Sequence, residues 1–168
     1  MTLRSEQPGD EAAIARVNDA AFGQADESRI IDAIRQAGRS NISLVAVDGS
    51  EVVGHILFTP VVVESAEPPV GVMGLGPMAV LPALQRQGIG TRLVREGLRR
   101  CAQTGCEAVV VVGHPKFYPR FGFRPASAFG LRCEYPVPDD VFMAVELVSG
   151  ALAGCRGLVR YLSEFEGA

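Results

Sequence analysis

The chain has 168 residues, 48% of them hydrophobic and 21% charged, with a formal net charge of −3 at pH 7. That length suits one domain with a sizeable core, and the slightly acidic balance argues against nucleic acid or an anionic membrane as a partner. No run has the length and uniformity of a membrane span, and the start Met-Thr-Leu-Arg-Ser-Glu lacks the apolar stretch of a secretory signal.

Leu3 and Arg4 begin a first strand. Asp10 reads as the N-cap of a helix that turns Ile14, Val17 and Ala21 to one face. Asp26 or Ser28 caps a second helix carrying Ile30, Ile31 and Ile34, and Gly38 ends it. Two strands, Ser43 to Val47 and Glu51 to Val63, meet at Asp48-Gly49, a strong hairpin signal. Pro60 marks a bulge or an edge in the second of them, and His55 is expected on a core or sheet-face position.

Val70 to Val80 reads as a fourth strand weakened by Gly71, Gly74, Gly76 and Pro77, which has no N–H to donate. It is either a poor edge strand or one that splays from its neighbour. A third helix is expected from Gly88 to about Thr104, with Leu93, Val94, Gly97, Leu98 and Cys101 inward and Gly105 as its stop. Glu107 to Val112 is nearly all valine, as in a strand covered on both faces, so a right-handed parallel crossover follows. His114 and Pro115 open a short helix containing Phe117 and Tyr118, kept short by Pro119. Phe142 to Val148 is the last clear strand, and the tail with Leu158, Val159 and Tyr161 either pairs or packs back.

Cys101, Cys106, Cys133 and Cys155 form no Cys-x-x-Cys pair and have no histidine cluster. Reduced thiols in a cytoplasmic protein are expected, with no disulfide and no metal site.

Gln85-Arg86-Gln87-Gly88-Ile89-Gly90 joins the weakened strand to the third helix. Such a turn gathers unpaired N–H groups at a helix start, where about half a positive charge favours an anion. Its glycines keep side chains away from an approaching phosphate. No Lys-Ser or Lys-Thr follows, as a Walker loop requires, and Leu93 stands where a dinucleotide fingerprint needs its third glycine. A strand-to-helix turn can also use glycine only to bend.

Pro82, Gln85, Gly88 and Gly90 follow the glycine-rich strand, and Phe117-Tyr118-Pro119-Arg120-Phe121-Gly122-Phe123 comes downstream. This pairing resembles the GNAT superfamily of acyl-CoA-dependent N-acyltransferases, with its Gln/Arg-x-x-Gly-x-Gly/Ala loop and Tyr-x-x-x-Gly-Phe segment. The likeness is nearest to a bacterial acetyltransferase branch with a Tyr-Pro-Arg-Phe-Gly-Phe signature, and it runs from Met1 to about Leu147. It implies an α/β (α+β) fold in a single domain, 1–168. A mixed central sheet of about six to seven strands, the fourth splayed, would be flanked by about four helices.

The resemblance further implies an N-acyltransferase that moves an acetyl group from acetyl-CoA, its co-substrate, directly to a primary amine without a metal. The acceptor would be a small molecule or a protein amine, and relatives commonly form homodimers. A non-catalytic acyl-CoA sensor is the alternative, and a different nucleotide on the turn is a third reading. The backbone of Met78, Ala79 and Val80 would pair with the pantetheine arm like an added strand. Arg86, Gln87, Gly88, Ile89, Gly90 and Thr91 would hold the pyrophosphate through their backbone, assisted by Gln85 and the Arg86 charge. Tyr118 matches the family's general acid beside the thioester sulfur. His114, where many relatives have asparagine, would bond the cofactor, relay a proton or cap the short helix. The fourth strand has no carboxylate to act as base, which leaves Glu27, Glu64, His114, a water, or an amine already neutral. Glu27 starts the second helix, a region that lines the acceptor cleft in the family.

Overall fold

The computed structural model describes residues 1–64 and 66–166. Its strands are β1 (Thr2–Ser5), β2 (Ile42–Asp48), β3 (Glu51–Val63), β4 (Val72–Val80), β5 (Ala108–Val112), β6 (Arg124–Pro125), β7 (Leu131–Cys133), β8 (Phe142–Glu146) and β9 (Gly157–Arg160). The helices are α1 (Glu11–Phe22), α2 (Asp26–Gln36) and α3 (Ile89–Gln103). The chain forms two compact units, one from 1–58, 77–97 and the segment after 162, the other from 59–76 and 98–162. Strands β3 and β4 and helix α3 each run from one unit into the other.

In the first unit β1, β2 and β3 pair antiparallel, from Thr2↔Val47 to Ser5↔Leu44 and from Ile42↔Phe58 to Asp48↔Glu51. Asp48 pairs with Glu51, so the two-residue loop is Gly49-Ser50, and Gly49 takes a left-handed φ of 64° at its first position. Helix α3 lies close on β3: a Cβ at Gly97 would fall 2.3 Å from Phe58 Cε2, and one at Gly54 would fall 3.1 Å from Leu93 Cδ1. Glycine is needed at both positions to let helix and strand approach.

The helix starts differ from expectation. Asp10 occupies the N-cap position of α1, but its carboxylate makes no cap. It accepts the Gln7 N–H at 2.7 Å and both Arg4 guanidinium nitrogens at 2.7 and 3.1 Å, fastening β1 to α1. The Arg4 hydrogen bonds hold that carboxyl below the usual carboxylate range. Ala25, rather than Asp26 or Ser28, precedes α2. Ser28 lies inside the first turn, and its hydroxyl donates to Asp19 Oδ1 at 2.6 Å and to Ala25 O at 3.1 Å.

His55 is fully buried, as its strand position suggested. Asn18 Nδ2 donates to Ile14 O at 2.9 Å and lies 3.2 Å from His55 Nδ1. That ring nitrogen therefore accepts, and the proton sits on Nε2, facing Ser43 Oγ at 3.0 Å. Ser43 Oγ donates to Glu6 Oε1 at 2.7 Å, and Glu6 accepts from Arg35 Nε at 3.2 Å. Burial first, and then the Arg35 charge, push the His55 pKa down to about 3. The unfolded imidazole protonates below its ordinary 6.5, whereas the folded one stays neutral. The stability contributed by neutral His55 is thus intact above pH 6.5 and is lost as pH falls towards 3. Between pH 7.5 and 4.5 this one group should cost about 2 to 3 kcal/mol. Urea unfolding of His55→Gln at both pH values should show the acid-induced loss reduced by about that amount; an unreduced loss would contradict the buried neutral imidazole.

In the second unit β4 and β5 pair parallel from Val72↔Ala108 to Leu75↔Val111, as a crossover through α3 demands. Gly76 (φ 145°) and Pro77 follow, so the ladder with β5 does not include the last five residues of β4. Strand β5 pairs antiparallel with β8, and its first four residues are buried. The last residues of β3 pair with β9 at Val62↔Arg160 and Val63↔Val159, so the tail forms a strand rather than merely packing. Pro60 falls between this ladder and the one that ends at Phe58, so neither of these two asks it for an N–H. The core here includes Val61, Val72, Val110, Leu131, Phe142, Leu152 and Val159. Helix α3 closes at Gly105 (φ 87°) with Cys106 N–H on Cys101 O at 3.2 Å. All four cysteines are free thiols.

Nine strands and three α-helices, among the described residues, replace the expected six to seven and four. The extra strands are β6 and β7, two and three residues long, too short to show alternation, together with β9. The helix expected at His114 is a single 3-10 turn, Tyr118–Phe121. Pro119 stands inside its first turn, where a missing N–H costs nothing, and Gly122 (φ 94°) ends it.

Candidate functional site

The first unit builds the glycine turn. After β4, a short 3-10 segment, Pro82–Leu84, leads into exposed Gln85, Arg86, Gln87 and Gly88. Arg86 takes a left-handed φ of 64°, Gly88 one of 90°. An arginine held there costs on the order of 1–2 kcal/mol, a strain that clusters at binding sites. Alternation of left-handed and ordinary residues aims successive N–H groups into one hollow. Helix α3 starts at Ile89, so Ile89, Gly90 and Thr91 have no acceptor inside it; the first helical bond is Arg92 N–H to Gly88 O at 3.1 Å. Among the described residues the N–H groups of Arg86 through Thr91 have no acceptor. A Cβ at Gly88 would meet nothing within 4 Å, so the hollow is open. These groups fit the pyrophosphate of a coenzyme.

Gln85 is anchored within the unit. Its side-chain Nε2 donates to Val80 O at 3.0 Å, bracing the turn against β4. That bond also occupies one lone pair of a carbonyl expected to face a ligand strand. Met78 is half-buried, and Ala79 and Val80 are buried. Glu27 stands in the first turn of α2, its carboxylate bonded by Gln24 Nε2 at 3.2 and 3.4 Å. No bond joins it to the turn among the described residues.

Tyr118 and His114 belong to the second unit. Tyr118 is 6% exposed, and its ring meets Phe117, Phe123 and Phe121 at centroid distances of 5.0, 5.5 and 6.4 Å. Gly113 lets it in: a Cβ there would lie 2.3 Å from Tyr118 Cε2. Burial pushes the phenol up to about 12, so it stays protonated across the working pH range of an enzyme. Its hydroxyl has no protein partner among the described residues. His114 is exposed, and its carbonyl, not its ring, accepts the Phe117 and Tyr118 N–H groups at 3.1 and 3.4 Å. Of the remaining candidate bases, Glu64 is ion-paired to Arg160.

A left-handed Arg86 carries no sequence signal, since arginine has no preference for that region. The Gly113 contact was equally hidden, because it depends on the aromatic turn folding back towards the end of β5.

The profile of the acetyltransferase (GNAT) domain matches residues 2–126. N-acetyltransferase YhbS of Escherichia coli K12 is 34% identical over 166 residues, 98% of either chain. Its crystal structure in complex with CoA superposes with a TM-score of 0.92 over 98% of this chain and 91% of that one. A GNAT family acetyltransferase from Brucella melitensis, in complex with acetyl-CoA, is 35% identical with a TM-score of 0.82, covering 98% of this chain and 97% of the other. The mixed α/β architecture and these likenesses agree, and the chain belongs to the GNAT acetyltransferases.

Proposed function

We propose that residues 1–168 work as one acetyltransferase domain that moves the acetyl group of acetyl-CoA to a primary amine. The observation that carries this reading is the run of unpartnered N–H groups from Arg86 to Thr91 around an open Gly88. Those groups hold the pyrophosphate, while β4, paired to β3 on one edge, offers its other edge at Met78, Ala79 and Val80, beyond the β5 ladder, to the pantetheine arm as an added strand. The amine nitrogen attacks the thioester carbonyl carbon, the carbon–sulfur bond breaks, and the Tyr118 hydroxyl gives its proton to the departing sulfur. His114 is exposed enough to meet the coenzyme or carry the amine's proton, and Glu27 faces the acceptor. Most of the rate gain comes from holding carbonyl and amine together. Four free cysteines suit a reducing cytoplasm, and among the described residues no helix is long and apolar enough to cross a membrane.

A thermal-shift series with acetyl-CoA, CoA, ATP and NAD tests the turn. Acetyl-CoA and CoA at a hundredfold excess over Kd should stabilise by about 2.7 kcal/mol, a rise of several degrees, and ATP and NAD should do much less. Release of CoA thiol with a panel of small amines and lysine peptides then tests turnover. Binding without release for any amine would leave a sensor rather than an enzyme; equal stabilisation by NAD would end the coenzyme assignment.

A further inference from the structure

A cleft of about 720 Å³ opens in the second unit between the 3-10 turn Ala126–Phe129 with β7 and the loop that leads into β9. Leu131 and Leu152 are its buried floor, Phe129 lies along one side, and Arg132 and Arg156 stand at its edge. Among the described residues no carboxylate side chain lines it. The two arginines are brought together by register. Strands β7 and β9 pair parallel with Arg132 opposite Leu158, so Arg132, Leu158 and, one alternation earlier, Arg156 share the outward side. Their burial agrees: Leu131 and Gly157 are buried while Arg132 and Arg156 are exposed.

The surrounding backbone is shaped to hold this arrangement. Gly130 (φ 79°) makes room for the Arg156 stem, since a Cβ would lie 2.9 Å from Arg156 Cγ. Gly157 N–H donates to Gly130 O at 3.2 Å and ties the two walls together. From behind, Glu146 accepts the Leu152 N–H at 2.8 Å and fixes the loop. A third cation, Arg124, stacks over the Phe129 ring with its guanidinium carbon 5.2 Å from the centroid. None of Arg124, Arg132 and Arg156 has a carboxylate partner among the described residues, although acids outnumber bases in the chain by 19 to 16. Arg132 and Arg156, two uncompensated guanidinium groups beside an apolar floor, present planar forks suited to carboxylate or phosphate oxygens, and Arg124 adds positive charge behind Phe129.

We propose that this cleft binds a small organic anion carrying two or more carboxylate or phosphate groups, clamped by Arg132 and Arg156 over Leu131 and Leu152. The inference does not rest on the acetyl-transfer reading. Calorimetric titration of the full chain with citrate and with pyrophosphate, each with CoA present in saturating amount, tests it. At least one probe should bind with one-to-one stoichiometry at submillimolar Kd, citrate pointing to a carboxylate ligand and pyrophosphate to a phosphate one. Arg132→Gln and Arg156→Gln should each weaken that binding at least tenfold, with CoA affinity and thermal midpoint unchanged. Absence of binding by both probes at millimolar concentration overturns the proposal. So does binding that survives both substitutions, or binding seen only when CoA is left out, since the anion would then be occupying the glycine turn.

Discussion

Replacing Gly90 by glutamate is expected to abolish binding of CoA and acetyl-CoA while leaving the protein at least as stable as before. Gly90 sits in the first turn of α3 without the left-handed φ that Gly88 adopts, so a side chain is allowed there by the backbone. Exchanging glycine for a helix former inside a helix gains about 0.5–1 kcal/mol, and an acid in the first turn adds a few tenths through the helix dipole. The same carboxylate occupies the positive helix end that a pyrophosphate would use and repels its charge. Affinity should fall at least a hundredfold, about 2.7 kcal/mol. Calorimetric titration and urea unfolding of one preparation separate the two effects, which here run in opposite directions. Retained affinity in a folded Gly90→Glu protein would remove the turn from coenzyme binding.

The turn was legible because its chemistry is stated by glycine, the one residue whose absence of a side chain is itself a signal. The same holds for Asp48-Gly49, where a positive φ of 64° was demanded and found, and for the valine run of β5, whose composition allows little except a strand covered on both faces. The parts that escaped the sequence are those decided by a partner far along the chain. Asp10 looks like a cap by its local context, yet Arg4 offers a charged bidentate contact that outweighs one amide N–H. The bond from the Gln85 amide to Val80 O, which braces the turn, is likewise announced by no local signal.

Strand register is hidden in the same way. Nothing in the local sequence around Arg132 or Arg156 says that the two will share a face, because β7 and β9 are three and four residues long and separated by the whole of β8. Only the parallel pairing Arg132↔Leu158 brings them to one side. In the aromatic segment the prolines misplaced the turn around Tyr118, since a proline at the second residue of a 3-10 turn starts the turn as readily as it would end a helix.

Tyr118→Phe should lower turnover by a factor of at least ten and up to about 10⁴, with CoA affinity and stability close to those of the native chain. The ring contacts to Phe117, Phe121 and Phe123 and the fit against Gly113 involve carbon atoms that phenylalanine keeps. Removing only the hydroxyl therefore tests proton delivery apart from packing. Because burial raises the phenol to about 12, the native enzyme should show no loss of activity from phenol ionisation as pH rises from 7 to 10. Its acid form is the active one throughout that range, so any alkaline limb seen there belongs to another group and should persist in Tyr118→Phe. A second arm varies the leaving group. If the hydroxyl protonates the departing sulfur, an acyl thioester of a more acidic thiol, which leaves well as a thiolate, should narrow the gap between native and variant rates. Equal native and variant turnover with acetyl-CoA would show that Tyr118 serves packing alone.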